Sequence, residues 1–512
     1  PLSHHRSNPG MALQRGLTPA PALMALAPAL VLLPLGMVLL HDLHGGGAEQ
    51  IGRFWLAALQ PSLEPSLLKH QLTGLQITAL TALLAWSLSS LIGLILGLIC
   101  STTIWSTLMG RRWPALVVRR GLAPLRSIHE LIWGLLLLQL FGLNGWVAVL
   151  AIVLPYSALL ARVLADQLDR HEPPALVALQ CAGVPAVINL CTSLVPPLAT
   201  ALRDHIGHRL DCALRSALLL GIFGLGGLGT ELMLSLQSLR FRELWSGLWL
   251  MALLLVAVNL MIRRLSARHG LLLLALMLPL VTPLWSSRLN HDLSAPSWVE
   301  GTPWPPPALW SEGLSQAWME TPWLELIGAT LLITLLASGV AIGLPPLLRL
   351  IAPGPVAGWI LKAGWTLMRL LPPPLTALLL MLASKPTLAV AALALGLHHS
   401  GVMGLVLEDG LERVDVRDQQ AMVALGAPPR SAWLFGVLSP ASQRYLAYAA
   451  YRSDVILRDT AVVGLVGGAG LGWQLMEALS SFYWPLVAWL VMVYAALTLL
   501  GELVCERLQE AA

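Results

Sequence analysis

Arg215 and Arg458 each follow an aspartate by four residues (Asp211 and Asp454), and each stands six residues before a glycine-dense run. A guanidinium in an apolar stretch is a candidate for gripping phosphoryl oxygens, because its planar donors match them two at a time. The same spacing also supplies a partner. Residues four apart share a helix face, so each arginine has a carboxylate to neutralise it. The spacing fits a structural ion pair and an anion contact alike. The glycine runs, GIFGLGGLG at 221–229 and GLVGGAGLG at 464–472, pose a similar choice. A phosphate-cradling loop needs a strand before it, a helix after it, and a Lys followed by Ser or Thr. Here AVV and WQL flank the second run and no Lys follows. The glycines (Gly221, Gly224, Gly227, Gly229, Gly464, Gly467, Gly470 and Gly472) are therefore expected to pack helices closely or to break one as a gate.

The elements that must carry these residues are membrane helices. The 512 residues are 56% hydrophobic and only 11% charged, against about 25% charged in a soluble domain. The mean hydropathy is +0.74. A net charge of +4, mostly arginines between apolar segments, gives no basic surface for nucleic acid. Cys100, Cys181, Cys191, Cys212 and Cys505 form no CxxC pair and read as small apolar residues. With about 20 apolar residues per span, twelve candidate helices follow: 22–40, 72–100, 123–141, 145–165, 197–223, 244–262, 271–287, 323–348, 362–383, 387–407, 441–466 and 482–503. The first lacks a small-residue cleavage site and is expected to be retained. Arg111, Arg112, Arg119 and Arg120 after the second span, and Arg263, Arg264 and Arg268 after the sixth, place both termini in the cytoplasm. The loop 288–322, with Trp298, Trp304, Trp310 and Trp318, then falls outside at the membrane interface.

The two glycine runs belong to an internal repeat. An offset of 243 residues aligns 209–232 with 452–475 without a gap and with ten identities. The same offset pairs Ala178 with Ala421, Gly183 with Gly426, Pro185 with Pro428 and Arg126 with Arg369. Six helices per half is an even number, so the halves are parallel repeats related by an axis along the membrane normal. The expected organisation is an N-terminal tail (1–20), a first repeat (21–265) and a second repeat (266–512). Under that axis Arg215 and Arg458 occupy equivalent places. His70, His129, His205, His208, His398 and His399 recur at no catalytic spacing and read as interfacial or pore-lining groups.

Between the fourth and fifth spans of each half, 166–196 and 408–440 are polar enough to leave the bilayer. ERVDVRDQQAMVALGAPPRSAWLFGVLSP alternates charged and apolar positions at helical spacing and breaks at GAPP. Short docking helices are expected at 172–190 and 415–433, ended by Gly and Pro. This stretch resembles the cytoplasmic motif of binding-protein-dependent ABC importer permeases, Glu-Ala-Ala-x3-Gly-x9-Ile-x-Leu-Pro. Ala421, Gly426 and Leu438 match, with Gln420 in place of the glutamate, Gly436 for the isoleucine and Pro440 one place late. In the first half Ala178, Gly183 and Pro196 match, and Val177 replaces the glutamate. YRSDVILRDTAVVGLVGGAGLG (451–472) and PLRSIHELIWGLLL (124–137) resemble the phosphonate-transport permeases in particular.

The resemblance implies an all-α polytopic permease of the type I importer fold, as a fused tandem duplication in a bacterial inner membrane. It implies import of phosphonate or a related oxyanion (phosphite, hypophosphite, phosphate) with two ATPase copies and a periplasmic or lipid-anchored binding protein. ATP and magnesium would sit on the ATPase, since the chain has no G-x-x-x-x-G-K-[ST] pattern and implies no cofactor or metal of its own. Ala178, Gly183, Gln420, Ala421 and Gly426 would meet the ATPase. Permeases for methionine, sulfonate or sulfate share the cytoplasmic motif. An ion-coupled secondary transporter is a further class, disfavoured by the parallel halves, and no HExxH or GxSxG marks an enzyme.

Overall fold

The computed structural model describes residues 20–170, 174–264, 277–278, 280–287, 313–464 and 470–511. Gly467, the tail 1–19 and the segment 288–312, with Trp298, Trp304 and Trp310, lie outside them. Within the described residues the chain is helical, with one isolated antiparallel bridge, Leu43 to Ser384. The first repeat supplies α1 (Ala20–Asp42), α2 (Gly47–Ala57), α3 (Pro65–Cys100) and α4 (Thr102–Met109). It continues with α5 (Trp113–Ser127), α6 (Glu130–Phe141), α7 (Gly145–Arg170) and α8 (Pro174–Cys181). α9 (Ala186–Ser193), α10 (Val195–Leu220), α11 (Leu228–Gln237) and α12 (Phe241–Arg264) complete it. The second half supplies α13 (Gly313–Glu320), α14 (Trp323–Ile351), α15 (Pro355–Leu370), α16 (Pro373–Met381) and α17 (Leu388–Leu411). α18 (Arg417–Ala424), α19 (Pro429–Trp433), α20 (Ser439–Gly464), α21 (Leu471–Ser480) and α22 (Trp484–Ala511) follow.

Among the described residues seven helices are long and apolar enough to cross a membrane, and two bent pairs raise the number to nine, so this is a multi-pass membrane protein. The twelve expected spans are thereby revised in several places. The span expected at 123–141 is α5 and α6, bent by 85° where Ile128 and His129 leave the helix. That expected at 362–383 divides at Leu371–Pro372 into α15 and α16, because Pro372 holds the preceding residue extended. That at 271–287 is described only in part. α20 is helical but carries Arg444, Arg452, Asp454, Arg458 and Asp459, too many charges to qualify on hydropathy.

Two compact units emerge. Gly46–Trp323 with Leu471–Leu500 form one, here the N-half unit; Pro1–Gly45, Leu324–Gly470 and Gly501–Ala512 form the other, the C-half unit. Packing thus departs from chain order. In the C-half unit α1 lies against α17 and α20, with Leu35 buried beside Ile333 and Val340. A Cβ on Gly343 would collide with the backbone of Ala29, so glycine sets how near α1 and α14 approach. In the N-half unit the buried Trp285, from the start of the second repeat, donates its indole N–H to Thr81 Oγ1 at 3.1 Å. Its ring meets Trp146 edge-on at 5.0 Å.

Candidate functional site

The first glycine run breaks a helix, and residues 465–469 of the second lie outside the described residues. In the N-half unit α10 unwinds through Gly221–Leu225, and the axis turns by 58° before α11. Gly227 has φ 87°, and a Cβ there would collide with Thr78 Oγ1, which accepts the Leu228 N–H at 2.9 Å. In the C-half unit Gly470, with φ 95°, stands 243 residues later, and its Cβ would come within 2.7 Å of Thr330 Oγ1. Both the positive φ and the hydroxyl exclude any other residue. A Cβ on Gly221 would lie 2.5 Å from Gly226 O, and one on Gly229 would strike Leu218 O, so α10 and α11 meet backbone to backbone. Gly224 also has positive φ, Gly464 ends α20, and Gly472 lies in the first turn of α21.

The two threonines expose a departure from the repeat. Thr78 precedes Arg126 by 48 residues, but Thr330 precedes Arg369 by 39. The nine-residue surplus coincides with α4, which has no counterpart between α14 and α15.

Six residues before each break, Arg215 Nε lies 3.3 Å from Asp211 Oδ2, and Arg458 pairs with Asp454. The carboxylates are buried, while the arginine side chains keep 25% and 15% of their surface. Each unit therefore holds an arginine paired with a buried aspartate one turn earlier on the same helix.

Beside these pairs lies a network that spacing did not disclose. In the N-half unit Tyr156 Oη is 2.9 Å from Ser216 Oγ, which donates to Glu130 Oε1 at 2.6 Å. Arg209 lies over the Tyr156 ring, 5.4 Å from its centroid. The corresponding residues in the C-half unit are His399 and Asp459, with Nε2 and Oδ2 3.1 Å apart. His399 is fully buried, so it is a core group and not an interfacial one. A signal was available: at the 243-residue offset Tyr156 falls on His399 and Ser216 on Asp459, polar on polar within apolar helices.

The expected docking segments are pairs of short helices, not single ones. α8 is followed by α9, and α18 by α19, with Pro185 and Pro428 as the N-caps. Each pair turns on a left-handed glycine, Gly183 with φ 74° and Gly426 with φ 87°. The carbonyls are closed identically. Val184 N donates to Leu179 O at 3.1 Å and Ala427 N to Met422 O at 3.0 Å, the six-to-one bond of a Schellman turn. Ala178, Gln420 and Ala421 are exposed, as are Val177, Val423 and Leu425, leaving apolar side chains displayed on both helices.

The base of each docking segment is tied by charge. Arg119 on α5 contacts Asp166 at 3.3 Å and Asp169 at 2.5 Å on α7. At the same offset, Lys362 on α15 contacts Asp409 at 3.3 Å and Glu412 at 2.9 Å. The hydrogen bond to Glu412 holds the Lys362 ammonium above its usual range. Asp169 further accepts from Ser101 Oγ, Thr102 N, Thr102 Oγ1 and Thr103 N, capping the start of α4. Among the described residues no group of His, Cys, Asp and Glu has the geometry to hold a metal.

No family model matches the chain, and no solved structure matches it. Curated proteins do. The phosphate-import permease protein PhnE of Mycolicibacterium smegmatis is 22% identical over 417 residues, 74% of each chain. The putative phosphite transport system permease protein HtxE of Stutzerimonas stutzeri is 33% identical over 139 residues, 27% of this chain and 53% of that one. The putative cryptic phosphonate transport system permease protein PhnE2 of Escherichia coli is 30% identical over 118 residues, 23% of this chain and 97% of that one. With a relative 30% identical and matched over nearly its whole length, the chain belongs to the family of phosphonate transport system permease proteins.

Proposed function

We propose that this chain is the transmembrane permease subunit of an ATP-driven ABC importer for phosphonate or a related phosphorus oxyanion. The observation that carries the reading is the kinship with permeases named for phosphate, phosphite and phosphonate. The duplicated docking pairs support it, since two equivalent surfaces suit two copies of one ATPase. One copy of the chain then supplies both permease halves, residues 21–265 and 266–512. A periplasmic or lipid-anchored binding protein delivers the anion, and the ATPase subunits hold ATP and magnesium. The chain moves its substrate without changing it and sits in the inner membrane with both termini in the cytoplasm.

In this reading Gly426 and Gly183 let each docking helix turn sharply into the ATPase cleft. The broken helices at 221–229 and 464–472 act as gate elements. Arg215 and Arg458, one turn after their aspartates and six residues before the glycine runs, meet the passing anion and offset part of its lost hydration. The test is uptake of labelled phosphite and phosphate by vesicles containing the chain, its ATPase and its binding protein. ATP-dependent accumulation of either anion is the expected result, and Arg458→Gln should reduce it while hydrolysis persists. Accumulation of methionine, sulfonate or sulfate instead, or uptake that survives removal of the ATPase, overturns the reading.

A further inference from the structure

We propose that Arg119 and Lys362 are positioning residues that link each docking helix to the broken helices of its own unit. This inference rests on the importer reading above. It begins with placement. Asp169 and Glu412 each stand five residues before the first residue of a docking helix, Pro174 of α8 and Arg417 of α18. Asp166 and Asp409 lie one turn further back. These four carboxylates therefore mark the bases of the two docking segments. In each unit one cation bridges both carboxylates, and that cation sits on α5 or α15, a separate helix packed along α7 or α17.

What lies at the far end of that second helix gives the bridge its direction. α5 bends by 85° into α6, whose first residue, Glu130, accepts the Ser216 hydroxyl of α10 at 2.6 Å. Ser216 adjoins Arg215 and precedes the glycine break by five residues. In the C-half unit α15 gives way at Leu371–Pro372 to α16, which packs on α17 and α20. In each unit a series of contacts thus runs from the carboxylate pair to the cation, along the helix that carries it, and on to the helix that precedes the glycine run. In the C-half unit fold stability does not demand it. The Lys362 side chain keeps 37% of its surface, and an exposed ion pair of this kind contributes only about 0–1 kcal/mol. Its recurrence with Arg and Asp exchanged for Lys and Glu maintains charge and place, not identity. When ATP binding shifts a docking helix, the bridge obliges α5 or α15 to follow.

The test uses the complete complex in vesicles, assayed together for ATP hydrolysis and for uptake of phosphite and inorganic phosphate. Lys362→Met should assemble and keep its basal ATP hydrolysis, while anions moved per ATP fall by at least about fivefold, the lower end of usual coupling effects. Lys362→Glu with Asp409→Lys and Glu412→Lys, which reverses the bridge, should restore most of that ratio. An unchanged ratio in Lys362→Met, a loss of assembly in its place, or no recovery in the reversed triple overturns the link. A wild-type complex that moves neither anion overturns the substrate reading instead. The same variants then decide the link through hydrolysis stimulated by the binding protein, which the broken bridge should abolish and the reversed bridge return.

Discussion

In the N-half unit Asp169 accepts four hydrogen bonds from residues 101–103 and a guanidinium besides. At the same place in the C-half unit Glu412 is 65% exposed and meets a single lysine. A buried position one turn earlier on α17 shows the reverse. Arg349 and Glu408 form an ion pair with 10% and 6% of their side chains exposed, where the N-half unit has Gly97 and Ala165. The skeletons agree, down to the Schellman turns, while the polar contacts that fasten them have been redistributed. Fusion permits this. Two identical subunits must satisfy both halves with one sequence, whereas a fused chain gives each half its own partners.

The largest effect expected from breaking the comparison lies at Glu408. Glu408→Ala leaves Arg349 buried with only the carbonyls of Ala352 and Gly354, and should destabilise the purified chain by about 3–5 kcal/mol. Arg349→Met with Glu408→Leu removes both charges and should recover most of that in chemical unfolding. If the double variant is no better than the single, the pair is not the isolated swap described above.

Next comes the contrast between the docking bases. Asp169→Ala removes the acceptor at the start of α4 and one of the two carboxylates of Arg119, for a loss of about 2–3 kcal/mol. Glu412→Ala should lose under about 1 kcal/mol. Equal losses in thermal melts would erase the distinction between a stiff and a loose attachment.

Asp459→Ser places the N-half residue opposite His399 and removes its carboxylate, at a cost of about 1–3 kcal/mol. Adding His399→Tyr should restore part of this by supplying the phenol–hydroxyl contact seen between Tyr156 and Ser216. Recovery stays incomplete because Pro373 stands where Glu130 accepts that hydroxyl.

The smallest effect is a gain. Leu239 and Phe482, 243 residues apart, end α11 and α21 with φ of 54° and 56°, where a side chain is strained. Phe482→Gly should stabilise by about 1 kcal/mol, and Leu239→Gly by a similar amount. A loss in either would show that the exposed side chain makes a contact of its own.

Much of the site was legible along the chain. The spacing of Asp211 to Arg215 and of Asp454 to Arg458 places each pair on one helix face, and the structure joins them. Gly183 with Pro185 and Gly426 with Pro428 foretold the turns after α8 and α18, because left-handed backbone and fixed φ are properties of those residues themselves. The bends were harder. Hydropathy reports that 123–141 is apolar but not that His129 caps a new helix, with Nδ1 accepting the Leu131 N–H, at 85° to the last. His399, in the middle of the expected span 387–407, read as an interfacial or pore-lining group until packing enclosed it.

By itself the sequence determined a polytopic helical protein, its internal repeat, and the local turns and ion pairs within each helix. These follow from apolar length, from periodicity and from residues that carry their own backbone preference. Only the tertiary structure decided that α1 packs with the helices of the second copy, that α4 is the surplus of the first, and that Tyr156–Ser216 and His399–Asp459 are one position filled by two chemistries. The reason is that a repeat offers each first helix two nearly equivalent apolar surfaces. Hydropathy cannot choose between them; the fit of Ala29 against Gly343 does.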